Sequence, residues 1–134
     1  MMQNLIYALI QIIHNLGAVT IIGLSVLGVW SEDQKPKRSV AVLLALAWGV
    51  QASSGAFFGL VTYHYYQHLP DIHGVAVAAL FLKILCAFFG FTLAASYSIW
   101  GKNWGNRSSK IVWRILLALG LTALVAAGFL RWFS

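Results

Sequence analysis

The sequence predicts an all-α fold, a bundle of four transmembrane helices, and three observations support this prediction. Of the 134 residues, 60% are hydrophobic and only 9% are charged, whereas a soluble domain usually carries about 25% charged residues. Four apolar stretches each reach the roughly 20 residues that a helix needs to cross a bilayer. Together the stretches fill most of the chain, which we therefore interpret as a single transmembrane domain over residues 1–134 surrounded by lipid.

The predicted spans cover residues of about 4–30, 40–63, 74–100 and 111–133. The first stretch lacks a basic leading region and a short cleavage site, so we expect a mature helix rather than a signal peptide. Pro36 in the first loop argues against one helix continuing from the first span into the second. The second loop reads HYYQHLPDIH and the third reads GKNWGNRSSK.

Basic residues concentrate in the first and third loops, whereas the second loop has no Lys or Arg. The loop residues are Lys35, Lys37, Arg38, Lys102, Arg107 and Lys110. The positive-inside rule therefore predicts that both termini and the second loop lie on the outer side, the periplasm of a bacterial inner (cytoplasmic) membrane. The net charge of +6 then reflects topology and contact with anionic lipid headgroups, not nucleic acid.

Two ionisable residues, His14 and Lys83, lie deep within the predicted spans. Each is about ten residues from the outer start of its span, which corresponds to a depth of roughly 15 Å. Spans one and three run in the same direction, so we expect the two side chains at one level near mid-membrane. A lysine there snorkels, is held neutral, or faces an internal anion or ligand.

A neutral imidazole such as that of His14 can ligate haem iron or accept a proton, although a lone His in a span is often only a hydrogen-bonded core residue. Lys83 beside it could hold a porphyrin propionate, act as an acid, or ligate iron. Gln51 is predicted near the same level, as a neighbour of a bound cofactor. Other mid-span polar residues, Ser54 among them, more often make interhelical hydrogen bonds. Cys86 is the only cysteine and is interpreted as a packing residue.

A second candidate site lies in the loop after span two, where His64, His68 and His73 occur close together. His64 and His68 are four residues apart, so on a helix they share one face. Imidazoles grouped in this way could bind copper or zinc. The alternative is an interfacial loop whose His and Tyr side chains lie among lipid headgroups.

Three segments resemble the CopD-like and HemJ-like membrane proteins. Around His14 the chain reads IIHNLGAVTIIGLSVLG, span two carries SGAFFGL, and span three carries VAALFLKILCAFFG with Lys83 before an apolar run. The resemblance implies two functions. HemJ-like proteins are haem-binding protoporphyrinogen oxidases in which a His of the first helix and a Lys of the third matter, by position His14 and Lys83. CopD-like proteins are associated with copper uptake across the inner membrane.

Three hypotheses follow. The first is a haem-associated membrane redox or electron-transfer subunit, with haem b held by His14, Lys83 and Gln51; as an enzyme it would be an oxidoreductase of the protoporphyrinogen-oxidase type. The second is a non-catalytic accessory subunit without a cofactor, bound to other subunits of a respiratory or photosynthetic complex. The third is copper handling through the three histidines of the second loop. No motif for hydrolytic or nucleotide chemistry is present in the sequence.

Overall fold

The computed structural model describes residues 1–30, 34–67 and 74–133, and these residues form four long α-helices. The helices are α1 (Met2–Trp30), α2 (Gln34–Tyr66), α3 (Val75–Trp100) and α4 (Asn106–Phe133), with a short 3-10 helix, Gly101–Asn103, between the last two. No strand occurs among the described residues. All four helices are long and apolar enough to cross a membrane, which confirms the predicted all-α architecture.

Each helix packs against two neighbours, so that the four form a closed ring. α1 contacts α2 and α4, and α3 contacts the same two helices. α1 and α3 therefore face each other across the interior. We call the end of the bundle at Met2, Tyr66, Val75 and Phe133 the termini end, and the end at Trp30, Gln34, Trp100 and Asn106 the basic end.

Three helices, α1, α2 and α4, extend beyond the predicted spans, because hydropathy marks the apolar part of a helix and not its last hydrogen bond. α2 begins at Gln34, which leaves Pro36 within its first turn, where a proline costs no intrahelical hydrogen bond. α2 ends where Gln67 adopts a left-handed conformation with φ of 60°. The amide side chain of Gln67 donates to the carbonyl of His64 over 2.9 Å and caps this end.

Two tryptophans fill the interior of the basic half. Trp48 of α2 lies against Gly90 of α3, and Trp113 of α4 lies against Gly28 of α1. Both indole rings are fully buried, and a Cβ atom at either glycine would overlap the facing ring. Because apolar burial gives helices in lipid no net drive to associate, such close ring-on-glycine packing is an important source of their attraction.

The outer surface of the bundle is apolar, as a lipid environment requires. Large hydrophobic side chains stand exposed on every helix, for example Leu16, Leu46, Phe81, Phe88 and Val125. In water such a surface would be a strong aggregation hazard. The exposed apolar surface and the four long helices together are compatible with an integral membrane protein.

The ring-on-glycine contacts predict a difference between two matched substitutions in α1. Gly28→Ala places a methyl group against the Trp113 ring, whereas Gly23→Ala places it where no atom lies within 4 Å. Both gain about 1 kcal/mol of helix propensity, but overpacking costs the Gly28 variant about 1–3 kcal/mol. We expect a lower Tm in lipid nanodiscs for Gly28→Ala and an equal or higher one for Gly23→Ala. Equal Tm values for the two variants would contradict the packing described here.

Candidate functional site

The imidazole of His14 and the amine of Lys83 meet in the interior of the bundle. Lys83 Nζ lies 3.0 Å from His14 Nε2, a contact between the two helices that face each other across the ring. His14 is about 18 Å along α1 from Met2, and Lys83 about 12 Å along α3 from Val75. The juxtaposition that residue counting predicted is therefore present in the structure.

Ser54 of α2 fixes the orientation of the His14 ring. Its Oγ lies 2.7 Å from His14 Nδ1, and its own hydroxyl proton is donated to the Gln51 carbonyl over 3.1 Å. Because the serine proton is used in that way, Oγ acts as the acceptor and His14 Nδ1 carries the hydrogen. The lone pair on Nε2 is then directed toward Lys83.

Two donors compete for that single lone pair. The Gln51 side-chain nitrogen lies 3.0 Å from His14 Nε2, the same distance as Lys83 Nζ. Gln51 is 8% exposed, and its Oε1 atom is buried without a hydrogen-bond partner among the described residues. The site therefore has one unused acceptor and more donors than the single lone pair of His14 Nε2 can accept.

A glycine of α1 makes room for the Gln51 amide. A Cβ atom at Gly17 would lie 2.6 Å from Gln51 Oε1, closer than real Cβ atoms approach an oxygen. Gly17 is one turn from His14, on the same helix face. His14 therefore supplies the polar contact for the Gln51 amide, and the missing side chain at Gly17 leaves the space that the amide occupies.

No carboxylate is available within the helices to balance a positive charge at the site. The chain has three acidic residues, Glu32, Asp33 and Asp71, and all three lie outside the described residues. Lys83 and His14 thus face neutral partners, Gln51 and Ser54. A proton that passes between the amine and the imidazole leaves the total charge of the pair unchanged.

The second candidate site is described only in part. His64 lies in the last turn of α2, is exposed, and packs its ring edge-on against Tyr65 with centroids 5.1 Å apart. His68 and His73 lie outside the described residues. Within the described ranges, no three His, Cys, Asp or Glu side chains are grouped as metal ligands would be. The copper site stays a prediction.

Sequence reasoning did not identify the role of Ser54 at this site. In the sequence, Ser54 is one of several mid-span polar residues, although its spacing of three residues from Gln51 indicates that the two share a helix face. Residues three apart on a helix are neighbours on one face, so a Gln51 side chain near the His14 level implied that Ser54 faces α1 as well.

Comparison with protein-family models, with curated proteins and with solved structures found no match to this chain. The likeness to CopD-like and HemJ-like proteins stays a prediction from short motifs. The geometry around His14 and Lys83 therefore has to support any functional proposal.

Ser54→Ala is expected to loosen the His14 ring, and Ser53→Ala, whose residue is exposed, is its matched control. Loss of the acceptor leaves a partly buried ring N–H unsatisfied, which costs about 1–3 kcal/mol. In ¹⁵N NMR spectra of the lipid-reconstituted protein, the wild type and Ser53→Ala should show His14 protonated on Nδ1. Ser54→Ala should show a mixture of tautomers. A pure Nδ1–H signal in Ser54→Ala would show that the serine does not hold the ring.

Proposed function

We propose that this chain is a membrane redox or electron-transfer subunit whose working element is a proton-exchanging pair, His14 and Lys83. The observation that supports the proton-exchanging part is the 3.0 Å contact between Lys83 Nζ and His14 Nε2 in the bundle interior. The redox part rests on the resemblance of the two helices to HemJ-like proteins. An ionisable residue inside a membrane span is by default a functional residue, since its burial is costly.

The chemistry of the pair is a proton transfer along one hydrogen bond. A proton on Lys83 Nζ moves to the Nε2 lone pair of His14, which converts ammonium and imidazole into amine and imidazolium. The reverse transfer restores the first state. No bond other than N–H forms or breaks, and the pair holds one positive charge in either form. Its charge changes only when a proton is exchanged with another group or with water.

The neighbouring polar groups keep this transfer aligned. Ser54 holds His14 Nδ1–H at 2.7 Å, so the ring cannot turn Nε2 away from the amine without losing a hydrogen bond. The Oε1 atom of Gln51, which has no hydrogen-bond partner among the described residues, could accept a hydrogen bond from Lys83 or His14 after a rotation of the Gln51 amide. Such a rotation would exchange a donor for an acceptor at the site, which favours the charged form of the pair.

We further propose an orientation for the bundle. The basic residues of the first and third loops support a basic end in the cytoplasm, with both termini on the outer side of a bacterial inner membrane. The termini end then faces the periplasm. The exposed apolar faces of all four helices would allow contact with other membrane subunits as well as with lipid.

Coupled titration of the two residues tests the proton-exchanging pair. In protein labelled with ¹⁵N at His and Lys, the signals of His14 and Lys83 should change together with pH, because strongly interacting groups titrate as a unit. Lys83→Met should leave His14 to titrate alone. His64→Ala, which alters an exposed histidine at the helix end, should leave the coupled transition intact. Independent transitions, or none over the range in which the protein stays folded, would contradict the proposal.

Haem ligation by His14 is the second candidate function. A histidine whose Nδ1–H is held by a neighbour while Nε2 points inward has the second-shell arrangement of a metal ligand. In the described geometry, however, Lys83 and Gln51 both lie 3.0 Å from Nε2, and these side chains occupy the position that iron would take. These contacts do not fit a haem, and its binding would require both side chains to move.

The absorbance spectrum of the purified protein tests this second candidate. Haem ligation by His14 predicts a Soret band that is lost in His14→Ala and kept in His64→Ala. A colourless wild-type preparation would contradict haem ligation. It would leave the proton-exchanging pair untouched, because that pair consists of this chain's own side chains alone. The cofactor-free accessory subunit and copper handling by His64, His68 and His73 stay predictions.

A further inference from the structure

Two amide side chains of α1 are exposed far from either end of the helix. Asn15 lies close to the centre of α1, and Gln11 lies one turn nearer the termini end. Both side chains are exposed, so in a bilayer they face either lipid or another protein. Among the described residues, Gln51 is the one other Asn or Gln in the middle half of a long helix, and it is buried.

The hydrogen bonding of these two amides is incomplete within one chain. Gln11 Nε2 donates to Asn15 Oδ1 over 2.9 Å. Among the described residues, neither Gln11 Oε1 nor Asn15 Nδ2 makes a further hydrogen bond, and the hydrocarbon of a bilayer offers none. The exposed hydroxyl of Thr20 differs, because it donates to the Leu16 carbonyl of its own helix over 2.8 Å. The amide pair therefore requires a partner outside this bundle.

The two amides belong to a stripe of small and polar residues along α1, which we call the α1 stripe. Its members follow at intervals of four, three, four and three residues, and they are Asn4, Ala8, Gln11, Asn15 and Ala18. All are exposed except Ala18, which is half-buried. This spacing is the seam of a left-handed coiled coil, and small side chains let a second helix approach closely in lipid.

The α1 stripe does not coincide with the face that builds the bundle. Asn15 directly follows His14, so the two side chains point about 100° apart around the helix. His14 and the buried residues Gly17 and Ile21 face the interior. A second helix on the stripe can therefore pack without disturbing the contact between His14 and Lys83.

A second copy of this chain has the chemistry that the α1 stripe requires. Copies in one membrane share one topology, so their α1 helices run parallel and equivalent residues meet at a two-fold axis. A side chain that meets its own copy needs a donor and an acceptor in the same group. The amides of Gln11 and Asn15 have both, whereas a cation or a carboxylate has only one.

We infer that two copies of this chain associate in the membrane through their α1 stripes. Gln11 and Asn15 of one copy hydrogen-bond to the same two residues of the other copy, and Ala8 and Ala18 allow the backbones to approach. A polar residue at a coiled-coil seam also fixes the register of the two helices. This dimer does not depend on the proposed function, because the interior of each bundle stays as described.

Energy transfer in liposomes tests the association. Copies that carry a donor or an acceptor dye at the amino terminus are diluted with lipid until the dimer dissociates. The double variant Gln11→Leu/Asn15→Leu should raise the dissociation constant at least about tenfold, because it removes the hydrogen bonds between the helices. Thr20→Val, the matched control, should dissociate as the wild type does. Leucine suits a lipid-facing position, so the double variant should keep the Tm of the bundle.

Cysteine cross-linking tests which face of α1 forms the contact. Ala8→Cys and Leu9→Cys are each introduced into a Cys86→Ala background, which removes the one native thiol. Leu9 is also exposed, but it points about 100° away from Ala8. A disulfide needs Cα atoms within about 7 Å, so oxidation should link two copies of Ala8→Cys and leave Leu9→Cys monomeric.

Three results would overturn the inference. They are a wild type that shows no energy transfer at any dilution in lipid, a double variant that associates as tightly as the wild type, and equal cross-linking of Ala8→Cys and Leu9→Cys. If the double variant loses its Tm together with energy transfer, the cross-linking result decides, because both cysteine variants keep the two amides.

Discussion

One hydrogen bond between an amine and an imidazole, formed in the interior of an apolar bundle, is the interaction on which the proposed proton exchange depends. Lipid cannot solvate a charge, so Lys83 must find its partners within the protein. His14 of α1 supplies the contact to Lys83, and Gln51 and Ser54 of α2 contact His14 in turn. No acidic residue in the helices neutralises the pair. Among the described residues, the pair therefore has only neutral partners.

The two halves of the bundle serve different purposes. In the basic half, indole rings packed on glycines replace the hydrophobic drive that lipid removes, and the result is a dense apolar cluster. In the termini half, α1 and α2 are held by polar pairs such as Tyr7 with Thr62. A cavity of about 430 Å³ lies between α3 and α4, and its lining is apolar, for example Val75, Leu82 and Phe129, apart from Thr122. The large fully buried side chains are therefore concentrated in the basic half.

Much of this arrangement could be predicted by counting residues. The four helices follow from composition, and the common level of His14 and Lys83 follows from the rise of 1.5 Å per residue. The role of Ser54 could not be predicted in this way, because depth does not specify the direction in which a side chain points around its helix. The start of α2 at Gln34 could not be predicted from hydropathy either, since apolarity begins only near residue 40. The competition of Lys83 and Gln51 for one lone pair depends on distances that no sequence pattern encodes.

The two ring-on-glycine contacts determine how the two helical hairpins are aligned with each other along the bundle axis. Each contact joins the hairpin of α1 and α2 to the hairpin of α3 and α4, once through Trp48 and Gly90 and once through Gly28 and Trp113. If one hairpin slid by a single helical turn, about 5.4 Å, both rings would strike side chains instead of bare backbone. His14 and Lys83 belong to different hairpins. The two indole rings therefore fix the axial register of the two hairpins, and only in that register are His14 and Lys83 in contact.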